Sequence, residues 1–200
     1  MEGQAKRLGA DAIVDVEGWP SILNSEFGGV RHLKVVCETE RLVIRQFELG
    51  DAEFIVRLLN EESFIRYIAD KNVRTQEDAI NYLKHGPMAS YDKYGFGLNL
   101  VLLKNSNTPI GMCGVLKRDE LEYPDLGYAF LAEFCGEGYA SEAAKKTLTV
   151  TIQTCSLDTV LAVTLQDNAR SNQLLEKLGF NFKETMKLYG RQNNLYEYRG

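Results

Sequence analysis

The stretch that most constrains this chain is Gly127-Tyr-Ala-Phe-Leu-Ala-Glu-Phe-Cys-Gly136-Glu-Gly138-Tyr-Ala-Ser141-Glu142. A run of strand character leads into a loop holding two glycines, and the loop opens a helix. The first amides of a helix have no intrahelical acceptor, and the helix dipole adds partial positive charge there. Glycines remove the side chains that would keep an anion from the backbone. Together these features make a cradle suited to a pyrophosphate. A tight strand-to-helix turn with no ligand gives the same Gly-x-Gly spacing, so the flanking sequence has to decide.

Two nucleotide-binding motifs can be tested at once. A P-loop needs Gly-Lys-Ser/Thr, which is absent. A dinucleotide fingerprint needs a third glycine where Ser141 stands, and an acidic residue at the end of the next strand. Asp158 lies at about the right distance but precedes its strand, Thr159–Thr164, on the wrong side to hold a ribose.

The flanking pattern predicts a layered α+β domain. Leu42, Ile44 and Gln46 alternate with Val43, Arg45 and Phe47, as in a strand. Asp51 is expected to cap a helix with Phe54, Ile55, Leu58 and Leu59 on its apolar face. Thr75 and Asp78 form a capping-box pattern for a second helix that buries Ile80 and Leu83. Strands follow at Phe96–Leu103, Ile110–Lys117 and Tyr123–Leu131, separated by short turns that imply antiparallel hairpins. A helix over Ser141–Cys155, a strand over Thr159–Thr164 and a helix stopped by Gly179 come next, then strands at Phe182–Leu188 and Leu195–Tyr198. The expected fold is a mixed, mostly antiparallel central sheet with helices on both faces. Residues 1–36 read as an extension, with a short amphipathic piece around Ile13–Leu23 anchored by Trp19, and residues 37–200 as the domain.

Composition narrows the function classes. No run approaches the roughly 18 apolar residues of a membrane-spanning helix. Asp11 and Asp15 interrupt what would be a signal peptide's apolar region, so a cytoplasmic protein with no membrane partner is expected. Cys37, Cys113, Cys135 and Cys155 are scattered and far in sequence from His32 and His85, which argues for packed thiols and no metal site. A formal net charge of −5 argues against a nucleic-acid partner.

Further motifs give the loop a context. Cys135-Gly136-Glu137-Gly138-Tyr139-Ala140 resembles the acyl-CoA pyrophosphate loop of the GNAT superfamily of N-acetyltransferases, Gln/Arg-x-x-Gly-x-Gly/Ala. Asp125-Leu-Gly-Tyr-Ala-Phe-Leu, Gly138-Tyr-Ala-Ser-Glu-Ala143 and Thr39-Glu-Arg-Leu-Val-Ile-Arg45 are similar to its RimJ/RimL-like branch. So are Asn168-Ala-Arg-Ser171 and Lys177-Leu-Gly-Phe180. The likeness spans about residues 38 to 190 in the family's order. It implies a GNAT-like acyl-CoA N-acyltransferase fold, acetyl-CoA as co-substrate and no metal. The acceptor would be a primary amine, on a protein N-terminus or a small molecule, and the protein a monomer or homodimer.

The resemblance also implies roles. Acetyl-CoA would be held by Phe130, Leu131, Ala132, Gly136, Glu137, Gly138, Tyr139, Ala140 and Ser141, with Asn168 and Ser171 beside it. The strands Tyr123–Leu131 and Thr159–Thr164 would splay, freeing backbone groups near Phe130 and Leu131 for the pantetheine. Many relatives protonate the departing thiolate with a Tyr seven residues after the signature Asn. That position is Leu175 here; the RimL-like branch uses the signature Ser instead, so the resemblance implies Ser171 as thiolate partner, with Asn168 orienting the pantetheine. Asp125, or Glu122, is the expected general base through water. Tyr139 and Tyr189 are read as packing residues, and Cys135 has no neighbouring His to make it a nucleophile. Glu137 stands where the family usually has Lys, Arg or Gln, and is tolerable beside a diphosphate if it points into water. Leu175 and Glu137 together raise the alternative of an acyl-CoA-binding sensor. Asp70, Asp119, Glu120, Glu122 and Asp125 are expected to draw a cationic amine.

Overall fold

A computed structural model describes residues 34–200. The extension up to residue 33, with the Ile13–Leu23 piece, lies outside them. Eight strands form one sheet: β1 (Val35–Glu38), β2 (Leu42–Arg45), β3 (Leu98–Leu103), β4 (Pro109–Leu116), β5 (Asp125–Phe130), β6 (Thr159–Leu165), β7 (Asn181–Leu188) and β8 (Arg191–Arg199). Their spatial order is β1-β2-β3-β4-β5-β6-β8-β7, and every neighbouring pair is antiparallel except β5 with β6. The helices are α1 (Ala52–Leu59), α2 (Glu62–Tyr67), α3 (Gln76–Leu83), α4 (Ala89–Tyr94), α5 (Tyr139–Cys155) and α6 (Ala169–Lys177).

Alternation divides the core between two faces. Leu42 and Ile44 of β2 join Val101, Cys113, Leu126 and Phe130 beneath α5 and α6. Val43 points the other way, with Leu100, Leu102 and Met112 beneath α1 and α3. Every residue of β2 is buried, because helices cover it on both sides. Burying a Leu or Phe side chain in such a core contributes about 1.5–3 kcal/mol. α5 is the crossover that any parallel neighbour pair requires. It lies against the sheet on small residues, Ala143 and Ala144, both fully buried. That close seat brings its first turn up to the end of β5.

Several expectations are corrected. The sheet begins at Val35, two residues before the expected domain start. α2, α4 and a π-helical turn at Lys84–Met88 containing Pro87 fill stretches that the sequence pattern leaves unassigned. Asp51 precedes α1 but does not cap it with its side chain. Its carboxylate accepts from both Nη atoms of Arg45, at 2.8 and 2.7 Å, and from the Glu48 amide at 2.9 Å. Arg45 is buried, and a bidentate partner is what makes that tolerable. The Thr75–Asp78 capping box forms as expected, and α3 buries Ala79 and Leu83, with Ile80 only half-buried.

The β3–β4 pairing that supports β5 depends on Gly114. A Cβ there would lie 2.0 Å from the Gly97 carbonyl oxygen and 2.7 Å from Leu98 Cα, both backbone atoms. Gly114→Ala is therefore expected to lose about 3 kcal/mol of stability in chemical denaturation, the upper end of overpacking costs. An unchanged midpoint would mean that β3 and β4 lie further apart than described.

Candidate active site

The sheet is broken between β5 and β6. The two strands share a single register pair, Asp125 with Leu161, and the Leu161 amide donates to the Pro124 carbonyl at 2.8 Å. Beyond that pair no ladder continues, and a V-shaped gap opens towards the end of β5. The burial pattern marks its walls. In the middle of the sheet, Gly127, Tyr128 and Ala129 are only half-buried, as are Val163 and Thr164 across from them. Their neighbour β4 is buried from Ile110 to Val115.

Strand parity assigns the free backbone groups. The Leu131 amide donates to the Ile110 carbonyl at 2.9 Å, so odd-numbered residues of β5 turn their amides and carbonyls towards β4. Even-numbered residues turn theirs to the gap. The groups available there belong to Tyr128 and Phe130, which corrects the expectation for Leu131. Leu131 is instead fully buried in the core beneath α1, and its carbonyl accepts from the Phe134 amide at 3.0 Å. Ala132 opens a 3-10 turn, Ala132–Phe134, that carries the chain from the strand to the glycines.

At the open end of the gap stands the first turn of α5. Gly136 and Gly138 have φ of 93° and 82°, the left-handed region that glycine adopts without strain. Gly138 is the N-cap, and no side chain caps the helix. α3 and α6 differ, since Thr75 and Asn168 cap them with their own oxygens. α5, with 17 residues, thus keeps the amides of Tyr139, Ala140 and Ser141 open. Glu137 is exposed between the glycines, its side chain in water.

A clamp from the opening strands holds this turn. Arg41 donates from Nε to Glu142 Oε2 at 2.7 Å and from Nη1 to the Glu137 carbonyl at 3.0 Å. Its guanidinium lies over the Tyr139 ring, 4.4 Å from the centroid. The other oxygen of Glu142 accepts from Thr39 Oγ1 at 2.5 Å and from the Arg41 amide at 3.1 Å. The Thr39-x-Arg41 and Gly138-Tyr-Ala-Ser-Glu142 segments are therefore one unit, which sequence reading did not connect. Arg41 adds a positive charge behind the open amides.

The remaining predicted residues divide. Asn168 caps α6, its side-chain oxygen accepting from the Ser171 amide at 3.3 Å. Ser171 is half-buried in the first turn of α6. Its neighbour Asn172 fixes the helix to the far wall, its Oδ1 accepting from the Tyr196 hydroxyl at 3.1 Å and from Thr164. Leu175 is fully buried in the core beneath α6. Cys135 is exposed beside the loop, while Cys37 and Cys113 are packed in the core, their thiols pushed up by burial.

Asp125 sits at the closed end of the gap, 1% exposed. Arg118 Nε lies 3.0 Å from each carboxylate oxygen but donates only to Oδ1, leaving Oδ2 enclosed without a hydrogen bond. Burial pushes the carboxyl up to about 6, and Arg118 opposes the rise. Glu122 is exposed and its side chain is not part of this pair. The turn between β7 and β8 touches two other segments. Arg191 donates to the Arg66 carbonyl at 2.8 Å, and the Tyr189 hydroxyl neighbours Arg118. Two of the five acidic residues expected to draw an amine carry their own cations, Asp70 with Arg74 at 2.7 Å and Asp125 with Arg118.

Comparison with known proteins gives the same geometry a family. Residues 41–181 match the family model described as an acetyltransferase (GNAT) domain. An uncharacterized N-acetyltransferase of Bacillus subtilis, YoaA, is 28% identical over 160 residues, covering 79% of this chain and 89% of its own. The acetyltransferase of Agrobacterium tumefaciens strain C58 shares the fold at a TM-score of 0.70 and 19% identity, over 82% of this chain and 94% of that one. RimL, a ribosomal L7/L12 alpha-N-protein acetyltransferase solved with coenzyme A, does so at 0.72 and 15%, over 83% and 98%. The matched segment runs from Arg41 of the clamp through the open helix turn and both walls of the gap to α6, and with it the chain belongs to the GNAT acetyltransferase family.

Proposed function

We propose that the protein transfers an acetyl group from acetyl-CoA to a primary amine, on a protein N-terminus or a small molecule, by direct attack in a ternary complex. The observation that carries this reading is the uncapped start of α5 at the mouth of the β5–β6 gap. The open amides of residues 139 to 141 suit a diphosphate, and Gly136 has no atom within 4 Å of where its Cβ would be, so the approach is clear. A diphosphate seated there aims the pantetheine down the gap, where it replaces the missing strand partner of Tyr128 and Phe130. An amide at that place also polarises a thioester carbonyl as charge develops on its oxygen.

Asp125 is the base in this reading. A carboxyl raised to about 6 is largely ionised at neutral pH yet basic enough to take a proton from the amine through water. Ser171 meets the departing thiolate from the opposite wall. Holding both reactants in the gap supplies several kcal/mol of the acceleration.

Two measurements test the reading. Calorimetry should show acetyl-CoA binding with no response to NAD. Thiol release across peptides, polyamines, amino acids and aminoglycosides should show turnover with at least one class. Tight acetyl-CoA binding without release on any of them would replace the enzyme by a sensor of acyl-CoA, the reading that Leu175 favours.

A further inference from the structure

Tyr128 belongs to the part of β5 that has already left β6, and it stands opposite Cys113 on β4. Its ring packs on the α5–α6 face of the sheet, against the core that contains Cys113 and Tyr196. The residue is half-buried, but its hydroxyl is wholly enclosed and makes no hydrogen bond among the described residues. An enclosed hydroxyl without a partner is destabilising. Phenylalanine fills the same space without that penalty, so packing alone gives no reason for the oxygen.

The groups around the hydroxyl narrow its use. Burial pushes the phenol up to about 12, and the Ser171 hydroxyl on α6 is the one neighbour that tempers the rise. Cys113 on β4 and Tyr196 on β8 are the other polar neighbours. Both are neutral at physiological pH: burial raises the Cys113 thiol to about 12, and the Tyr196 phenol lies above its usual value. Tyr196 is committed to Asn172, and Cys113 lies in the closed interior. Ser171 alone both adjoins Tyr128 and borders the gap.

We propose that Tyr128 is a positioning residue for acetyl transfer, its unpartnered hydroxyl taking up that of Ser171 when coenzyme A fills the gap, so that the Ser171 proton points at the sulfur of the departing coenzyme A. This rests on the acetyltransferase reading given above. The amine nitrogen bonds to the acetyl carbon, the carbon–sulfur bond breaks, and the electron pair stays on sulfur. The proton lost by the amine leaves through Asp125 and water. An equivalent proton reaches sulfur by way of the Ser171 hydroxyl, which regains one from solvent. Tyr128 keeps its own proton, because in this relay its hydroxyl donates to the Ser171 oxygen and not to sulfur. It supplies direction only.

Tyr128→Phe tests this by deleting one oxygen. The thermal midpoint should stay equal or rise, while kcat falls about tenfold, the effect of one hydrogen bond, with the acetyl-CoA KM unchanged. Ser171→Ala should lower kcat at least as far, and the double variant no further than Ser171→Ala alone. A second readout needs no acceptor: the thiol of bound coenzyme A, titrated by thiolate absorbance. Wild-type protein should lower its pKa relative to free coenzyme, and Tyr128→Phe should move it back towards the free value. Unchanged kcat in Tyr128→Phe, additive losses in the double variant, or the same bound-thiol titration in both proteins would overturn the proposal. Wild-type protein that releases no thiol with any amine ends the acetyltransferase reading, while the titration still decides the role of Tyr128. Coenzyme A that does not bind at all ends both.

Discussion

Replacing Gly138 with aspartate is expected to weaken acetyl-CoA binding about 100-fold, some 2.7 kcal/mol, while leaving the fold in place. Aspartate is among the residues that tolerate a left-handed φ of the kind found there, 82°. A Cβ at this position meets nothing nearer than Arg41 Nη2, at 3.5 Å. The new carboxylate would sit beside that guanidinium and over the start of α5, where a helix favours negative charge. The same features that welcome it exclude a diphosphate, because the site holds one anion. Calorimetry with acetyl-CoA measures the loss, and the thermal midpoint should move by only a few degrees. Gly138→Asn, equal in shape and neutral, should lose much less. Equal affinity for all three proteins would place the diphosphate elsewhere.

Asp125→Asn is expected to lower kcat by about 10²–10⁴, the range for loss of a general base. In the wild type, kcat/KM should rise with pH through about 6 as the buried carboxyl ionises, and that limb should vanish in the variant. Stability runs the opposite way. The folded-state pKa is raised above the unfolded value, so protonation favours the folded protein. That contribution is complete below the usual carboxylate range and is lost as pH rises through about 6. The unfolding midpoint of the wild type should thus carry a pH dependence in this window that Asp125→Asn lacks. A wild-type rate profile flat from pH 5 to 8 would move the base to another group.

What could be read in advance followed the range of the interactions. The Thr75–Asp78 cap and the helix of α5 are local, and each is written in a few adjacent residues. Asp51 misled for a local reason: one carboxylate suits both a cap and an arginine, and only the fold brings Arg45 to it. The pairing of Arg41 with Glu142 spans 101 residues and has no local signature. Leu131 and Tyr128 exchanged roles because a strand's parity is fixed by its neighbour's register, here Leu131 on Ile110. Glu62–Tyr67 and Lys84–Tyr94 are the least legible, since two short helices and a turn around Pro87 lack the length for a clear period.

The single rung between Asp125 and Leu161 has a mechanical consequence. The described sheet is two plates, one of five strands and one of three, whose strands pair at one rung along their common seam. An extended ligand in the wedge beyond that rung would serve as a borrowed strand, supplying the cross-links that the polypeptide withholds. An occupant would then tie the two plates together beyond Asp125 and Leu161, along a seam otherwise bridged by the core they share beneath α5 and α6.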